Sequence, residues 1–261
     1  MSKEKTQKIY YYDSFDHDFA ETKNQDYKIP SDYKWMHISP IYHALSLVLY
    51  AVVVVLDLIY MKLFAHITVK NRHLLLKARL FGGYYLYSNH TQTFGDVVNP
   101  FAMTFPTRPS IICSPSNLGI PVVGKLLPMA GAIPIPDNID DFKKFNQTIS
   151  RRIKIGDCIV IYPEQHLWPY YTKIRPLSDA AFHFPIKVRK PVYVATTTYQ
   201  KSRIFKKPKI TIYIDGPFKA SEDLSKKDAQ KRLKYEVQKT MERRAKHSTF
   251  EYVTYRKKSK K

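Results

Sequence analysis

The chain is short of acid and of cysteine. Asp and Glu total 22 against 43 Lys and Arg in 261 residues, a formal charge of +21. A field of that sign favours anionic partners: nucleic acid, an anionic membrane surface or phosphorylated substrates. The two cysteines, Cys113 and Cys158, sit in apolar, strand-like contexts without the paired spacing of a metal site or a redox motif. They read as buried thiols of a reducing compartment. No secretory signal opens the chain, because residues 1–37 are polar, charged and rich in tyrosine. No RNA-binding motif accompanies the 20 tyrosines, which are scattered through strand and arm segments, so nucleic acid is not the expected partner.

What the chain has is apolar content, 44% of its residues, enough for a substantial core. The apolar peak runs from Ile41 to Ala65, cleanest over Ala44 to Leu56, and Asp57 interrupts it. A full span needs about 20 mainly apolar residues. A carboxylate in hydrocarbon is costly unless it faces protein or the interface. That cost tips the reading towards a helix partly embedded in one leaflet, with a tilted span as the alternative. Lys70, Arg72, Lys77 and Arg79 follow closely, and positive charge beside an apolar segment favours the cytoplasmic side.

The remainder alternates strand-like and helix-like runs. Strands are expected at Ser110–Cys113, Ala132–Pro136, Cys158–Tyr162, Val192–Thr196 and Ile210–Ile214. Helices are expected at Asn117–Met129 (limited by Pro121 and Pro128), Asp140–Ile155 with Gly156 as its stop, and Ser178–Val188. Another should begin at the Ser225–Asp228 capping box and run to Lys246. The alternation predicts an α/β fold with a largely parallel central sheet flanked by helices. The organisation reads as a polar arm over 1–40, flexible or draped on the surface, then a membrane-associated helix over 41–66. An α/β domain over 67–220 follows, and a helix with a basic tail over 221–261. The tail Arg256–Lys261 reads as solvated, with anionic lipid headgroups as the alternative contact.

Two strand ends carry chemistry. Ser88-Asn89-His90-Thr91-Gln92-Thr93-Phe94-Gly95-Asp96 follows the run Gly83–Tyr87, and Tyr162-Pro163-Glu164-Gln165-His166 follows Cys158–Ile161. Open α/β sheets place their sites at the carboxyl ends of strands. A histidine held beside a carboxylate can take a proton from a hydroxyl near neutral pH.

These clusters, with Gly131–Pro136 and Lys190-Pro191-Val192-Tyr193-Val194, stand in the order of four sequence blocks. Over roughly Val69–Pro217 the chain resembles the glycerolipid acyltransferase family that includes the 1-acylglycerol-3-phosphate acyltransferases, in a divergent bacterial-type branch. In the family four residues separate the His from the Asp, whereas five residues separate His90 from Asp96, with Gly95 expected to absorb the extra one in a tight bend. The arginines of the second and third family blocks are absent; Pro136-Asp137-Asn138 and Gln165-His166-Leu167 stand there, and Lys173 and Arg175 lie just downstream.

The resemblance implies a membrane-bound acyltransferase of phospholipid synthesis, moving an acyl group from acyl-CoA or acyl carrier protein to a lysophospholipid. No bound cofactor and no metal are implied. His90 would be the general base, oriented by Asp96, with Glu164, Gln165, Lys173 and Arg175 as acceptor-binding residues. No serine or cysteine stands in a nucleophile motif, so no acyl-enzyme intermediate is expected. A non-catalytic, membrane-anchored basic protein that binds anionic lipid remains the competing reading.

Overall fold

The computed structural model describes residues 8–19, 26–202 and 206–258. In chain order its elements are β1 (Lys8–Tyr12), α1 (Pro40–Ile59), β2 (Ile67–Lys70), α2 (His73–Ala78), β3 (Tyr84–Ser88) and α3 (Gly95–Thr104). Then come β4 (Pro109–Cys113), α4 (Val123–Ala130), β5 (Ala132–Pro134), α5 (Ile139–Lys154), β6 (Cys158–Ile161) and α6 (His183–Val188). The last are β7 (Val192–Gln200), β8 (Lys209–Phe218), α7 (Lys226–Ala245) and β9 (Val253–Lys257). Seven strands form the central sheet in the order β2-β8-β7-β3-β6-β4-β5, parallel throughout except for the antiparallel β7–β8 pair. The fold is the expected α/β type.

Strand β3 lies at the middle of the sheet with β6 on one side and β7 on the other. All five of its side chains are buried. Strand side chains alternate between faces, so Tyr85 and Tyr87 enter one core layer with α5 (Phe145, Ile149, Ile153) and α7 (Leu233, Val237, Met241). Tyr84 and Leu86 enter the other, with α2 (Leu75, Ala78) and α3 (Ala102, Met103). A central strand buried on both faces reads as a near-continuous apolar run, which is why it is legible in the sequence.

Helix α1 starts as its sequence dictates. Ser39 accepts the Tyr42 N–H at 3.4 Å, and Pro40 occupies the first turn, where no backbone donor is missed. The helix continues through one π turn to Phe64, and Pro40–Phe64 is long and apolar enough to cross a membrane. Its packing is inside out. The buried positions along α1 are Ser46, Tyr50, Val54 and Asp57, while Leu45, Leu47, Val48, Val52, Val55 and Leu56 are exposed. Ser46 donates to the Met129 carbonyl and accepts from Arg108, Tyr50 donates to the Thr107 carbonyl, and Asp57 accepts the Ala102 N–H at 2.8 Å. The polar stripe holds α1 along α3 and α4. Asp57 therefore faces protein and is 2% exposed, which meets the condition for a carboxylate in such a segment.

Several boundaries differ from expectation. The helix expected over Asn117–Met129 is split into a 3-10 turn at Pro115–Gly119 and α4, with the break at Pro121, whose ring cannot continue an interior turn. Ser178–Val188 divides likewise into a 3-10 turn and α6. Helix α5 ends before Gly156, which takes φ +96°, and α7 starts at the Ser225 cap, both as expected. The arm is not simply draped: Lys8–Tyr12 pairs in parallel with Val253–Lys257. The same pairing gives Arg256 and Lys257 strand backbone while both stay exposed; residues 259–261 lie outside the described ones. Cys158 is buried and Cys113 half-buried, both as free thiols.

Candidate active site

The site is built at the carboxyl end of β3. Asn89 is buried there, and its side chain exchanges two hydrogen bonds with the Thr197 main chain of β7, accepting its N–H at 2.8 Å and donating to its carbonyl at 3.1 Å. The amide thus extends the strand ladder by one position and fixes where the chain leaves the sheet. His90 comes next, with its side chain 23% exposed. Its Nδ1 lies 2.8 Å from Asp96 Oδ2, and that oxygen also accepts the N–H groups of Thr91 and Gln92, each at 2.8 Å. The carboxylate is acceptor-only when ionised, so Nδ1 carries the proton and Nε2 holds the imidazole lone pair.

The extra residue between His90 and Asp96 is taken up by the loop curling around the carboxylate and by the first turn of α3, where Asp96 N–H bonds to the Gln92 carbonyl at 3.1 Å. Gly95 is needed here for its missing side chain, not for an unusual dihedral. Its φ is outside the left-handed region, and a Cβ would collide with the buried side chains of Gln92 and Asn99. Asp96 also lies in the first turn of α3, where backbone N–H groups favour a negative charge.

The second strand end supplies a floor. The Tyr162 ring stacks on His90 at 4.4 Å between centroids and 26° between planes, and its hydroxyl donates to the Asp96 carbonyl at 2.5 Å. Burial pushes that hydroxyl's pKa well above its ordinary value, so it stays protonated and donating. Glu164 Oε2 accepts the His90 N–H at 3.0 Å and pairs with Arg175 Nη2 at 2.8 Å, while Oε1 accepts the Arg175 N–H at 2.8 Å. Arg175 also donates to the His166 carbonyl. The Glu164 and Arg175 side chains are 0% and 1% exposed.

Of the residues expected to contact an acceptor, Glu164 and Arg175 are thus inside the protein, gripping the His90 main chain from below. Gln165 and Lys173 are at the surface, Gln165 with φ +68°. Two side-chain pairs form among the six expected site residues, His90 with Asp96 and Glu164 with Arg175. Tyr162 opens the second strand-end cluster in the sequence but has no role of its own there; β6 adjoins β3 in register, Ile161 opposite Tyr87, so the residue after Ile161 stands beside the His90 loop. Among the described residues no group of three His, Cys, Asp or Glu side chains is placed to hold a metal ion.

No protein-family model and no curated protein matches the chain. Its structure is similar to the crystal structure of the 1-acyl-sn-glycerophosphate (LPA) acyltransferase PlsC from Thermotoga maritima, with a TM-score of 0.54 and 12% identity, over 79% of this chain and 84% of that one. At that identity the likeness is one of fold.

Proposed function

We propose that the protein is a membrane-associated O-acyltransferase. It would move a fatty acyl group from a thioester, acyl-CoA or acyl carrier protein, to the hydroxyl of a lysophospholipid of the 1-acylglycerol-3-phosphate class. The observation that carries the reading is the imidazole of His90, tied at Nδ1 to Asp96 with Nε2 left to take a proton. The likeness of fold to an LPA acyltransferase supports it.

In this mechanism Nε2 removes the acceptor's hydroxyl proton as its oxygen attacks the thioester carbonyl. Asp96, fixed by two backbone N–H groups, stabilises the imidazolium that forms. The tetrahedral oxyanion collapses, the C–S bond breaks, and the imidazolium returns the proton to the departing sulfur, giving an ester and a free thiol. Purified protein given radiolabelled acyl-CoA and a panel of lyso-lipids should label lysophosphatidic acid. Label absent with acyl-CoA and with acyl carrier protein alike, while anionic vesicles are bound, would leave the lipid-binding reading instead.

The membrane association follows from the inside-out α1. Its polar stripe is spent on the domain, so the apolar face is left for lipid, in company with exposed Phe94 and Val97 of the adjoining loop and α3, and Val123 and Leu126 of α4. A helix bound along the domain in this way lies in the interface with one face in the acyl region. Val48 and Val55 are 62% and 55% exposed, away from the domain. Val48→Glu with Val55→Glu should weaken vesicle binding by on the order of 10²-fold, since each lost apolar burial costs about 1.5 kcal/mol or more. Co-sedimentation with vesicles measures this, and unchanged binding would remove α1 as the contact.

A further inference from the structure

We propose that Trp168 is a positioning residue for His90, and that the arm around β1 and the strand β9 hold it in place. This rests on the acyl-transfer reading for its kinetic consequence but not for its structural one. The segment from Pro163 to Ser178 carries Glu164 and Arg175 and has no helix or strand of its own. Its main chain grips the catalytic loop: Trp168 N–H donates to the His90 carbonyl at 3.1 Å and Tyr170 N–H to the Thr91 carbonyl at 2.8 Å. With Glu164 on the His90 N–H, both polar groups of the His90 main chain are held by this one segment.

What holds the segment is the Trp168 indole, which is 0% exposed. Its ring meets Tyr12 at 4.7 Å, Phe15 at 5.7 Å, Phe19 at 5.2 Å and Tyr255 at 4.9 Å, the last stacked at 14°. The Arg175 guanidinium stands 5.0 Å from the ring centroid. The indole N–H donates to the His17 carbonyl at 2.6 Å, and Phe19 N–H donates to the Leu167 carbonyl at 3.3 Å. Tyr255 Oη donates to the Pro169 carbonyl at 2.7 Å. Three of these rings come from the arm, one from β9, and β1–β9 pairing brings the two together. Buried aromatic contacts and a satisfied indole N–H give a loop of this kind one defined position. A catalytic group displaced by about 1 Å can lose on the order of 10²-fold in rate.

The test uses Trp168→Ala, Trp168→Phe and the arm double variant Tyr12→Ala with Phe19→Ala, which lies away from the dyad. Each is read in two ways: by kcat and KM, and by the hydrogen-bonded Nδ1 proton of His90 in 15N-histidine-labelled full-length protein. Trp168→Ala and the arm variant should lose about 10- to 100-fold in kcat with KM within about threefold, and the Nδ1 proton signal should broaden or vanish. Trp168→Phe, which keeps the ring contacts but not the indole N–H, should fall between. Folded variants with full kcat and an unchanged Nδ1 proton would overturn the proposal. Should Trp168→Ala fail to fold, the arm variant decides. Should the unaltered protein transfer no acyl group, the function fails, while the His90 proton still decides the positioning claim by itself.

Discussion

Replacing His90 by alanine is expected to lower kcat for acyl transfer by about 10²- to 10⁴-fold, the range for loss of a positioned general base. The fold should survive the change. The contacts that hold residue 90 from below run to its main chain, the N–H to Glu164 and the carbonyl from Trp168, and alanine keeps both. The Tyr162 stacking contact is lost. Thermal unfolding within a few degrees of the unaltered protein, together with lost transfer, would locate the effect in the chemistry. Full activity in His90→Ala would remove His90 as the base and the proposed mechanism with it.

Asp96→Asn should lower kcat by about 10-fold, for a different reason. An amide oxygen at the Oδ2 position can still accept from Thr91, Gln92 and Nδ1–H, because all three meet that one oxygen. The tautomer is kept, but the amide is neutral where the carboxylate is charged. A hydrogen bond from the imidazolium to an uncharged acceptor is roughly half as strong. The two variants separate roles: the first removes the base, the second leaves the ring and its tautomer and removes the charge that steadies the imidazolium. Full kcat in Asp96→Asn, with the 15N shifts of His90 unchanged, would remove that charge from the mechanism.

Much of this site was legible in the sequence, and the limits have physical causes. Strands β3 and β6 are continuous apolar runs that end in polar clusters, and strand ends in a parallel sheet converge. Hence the sequence pattern alone brings His90 and the Tyr162–Glu164 turn together. The arm and β9 could not. Tyr10 pairs with Tyr255 across nearly the whole chain, and nothing local to either segment announces the other. The partner of Asp57 was hidden likewise, since it is a backbone N–H, at Ala102, which no side-chain pattern reveals. The burial of the Glu164–Arg175 pair was hidden for a further reason. Charged residues beside a site are expected to face the ligand, because burying them is costly unless they are paired, and sequence does not show the pairing.

Arg175→Met is expected to destabilise the protein by about 3–5 kcal/mol, because it leaves the Glu164 carboxylate buried without its cation. For a chain of this size that is a fall in Tm of about 10 °C. Replacing both partners, Glu164→Leu with Arg175→Met, removes the stranded charge but also the acceptor of the His90 N–H, so it should recover part of the loss and not all of it. Arg175→Lys is not a conservative test. A lysine offers a point charge, whereas one guanidinium nitrogen, Nη2, here serves the Glu164 carboxylate and the His166 carbonyl while the guanidinium carbon lies over the Trp168 ring. Differential scanning calorimetry of the single and double variants decides between the two roles open to Arg175. A residue that binds the acceptor's phosphate would raise KM and leave Tm unchanged when removed. Removal of a residue 1% exposed beneath the His90 loop should lower Tm first, and kcat through the His90 main chain that Glu164 holds.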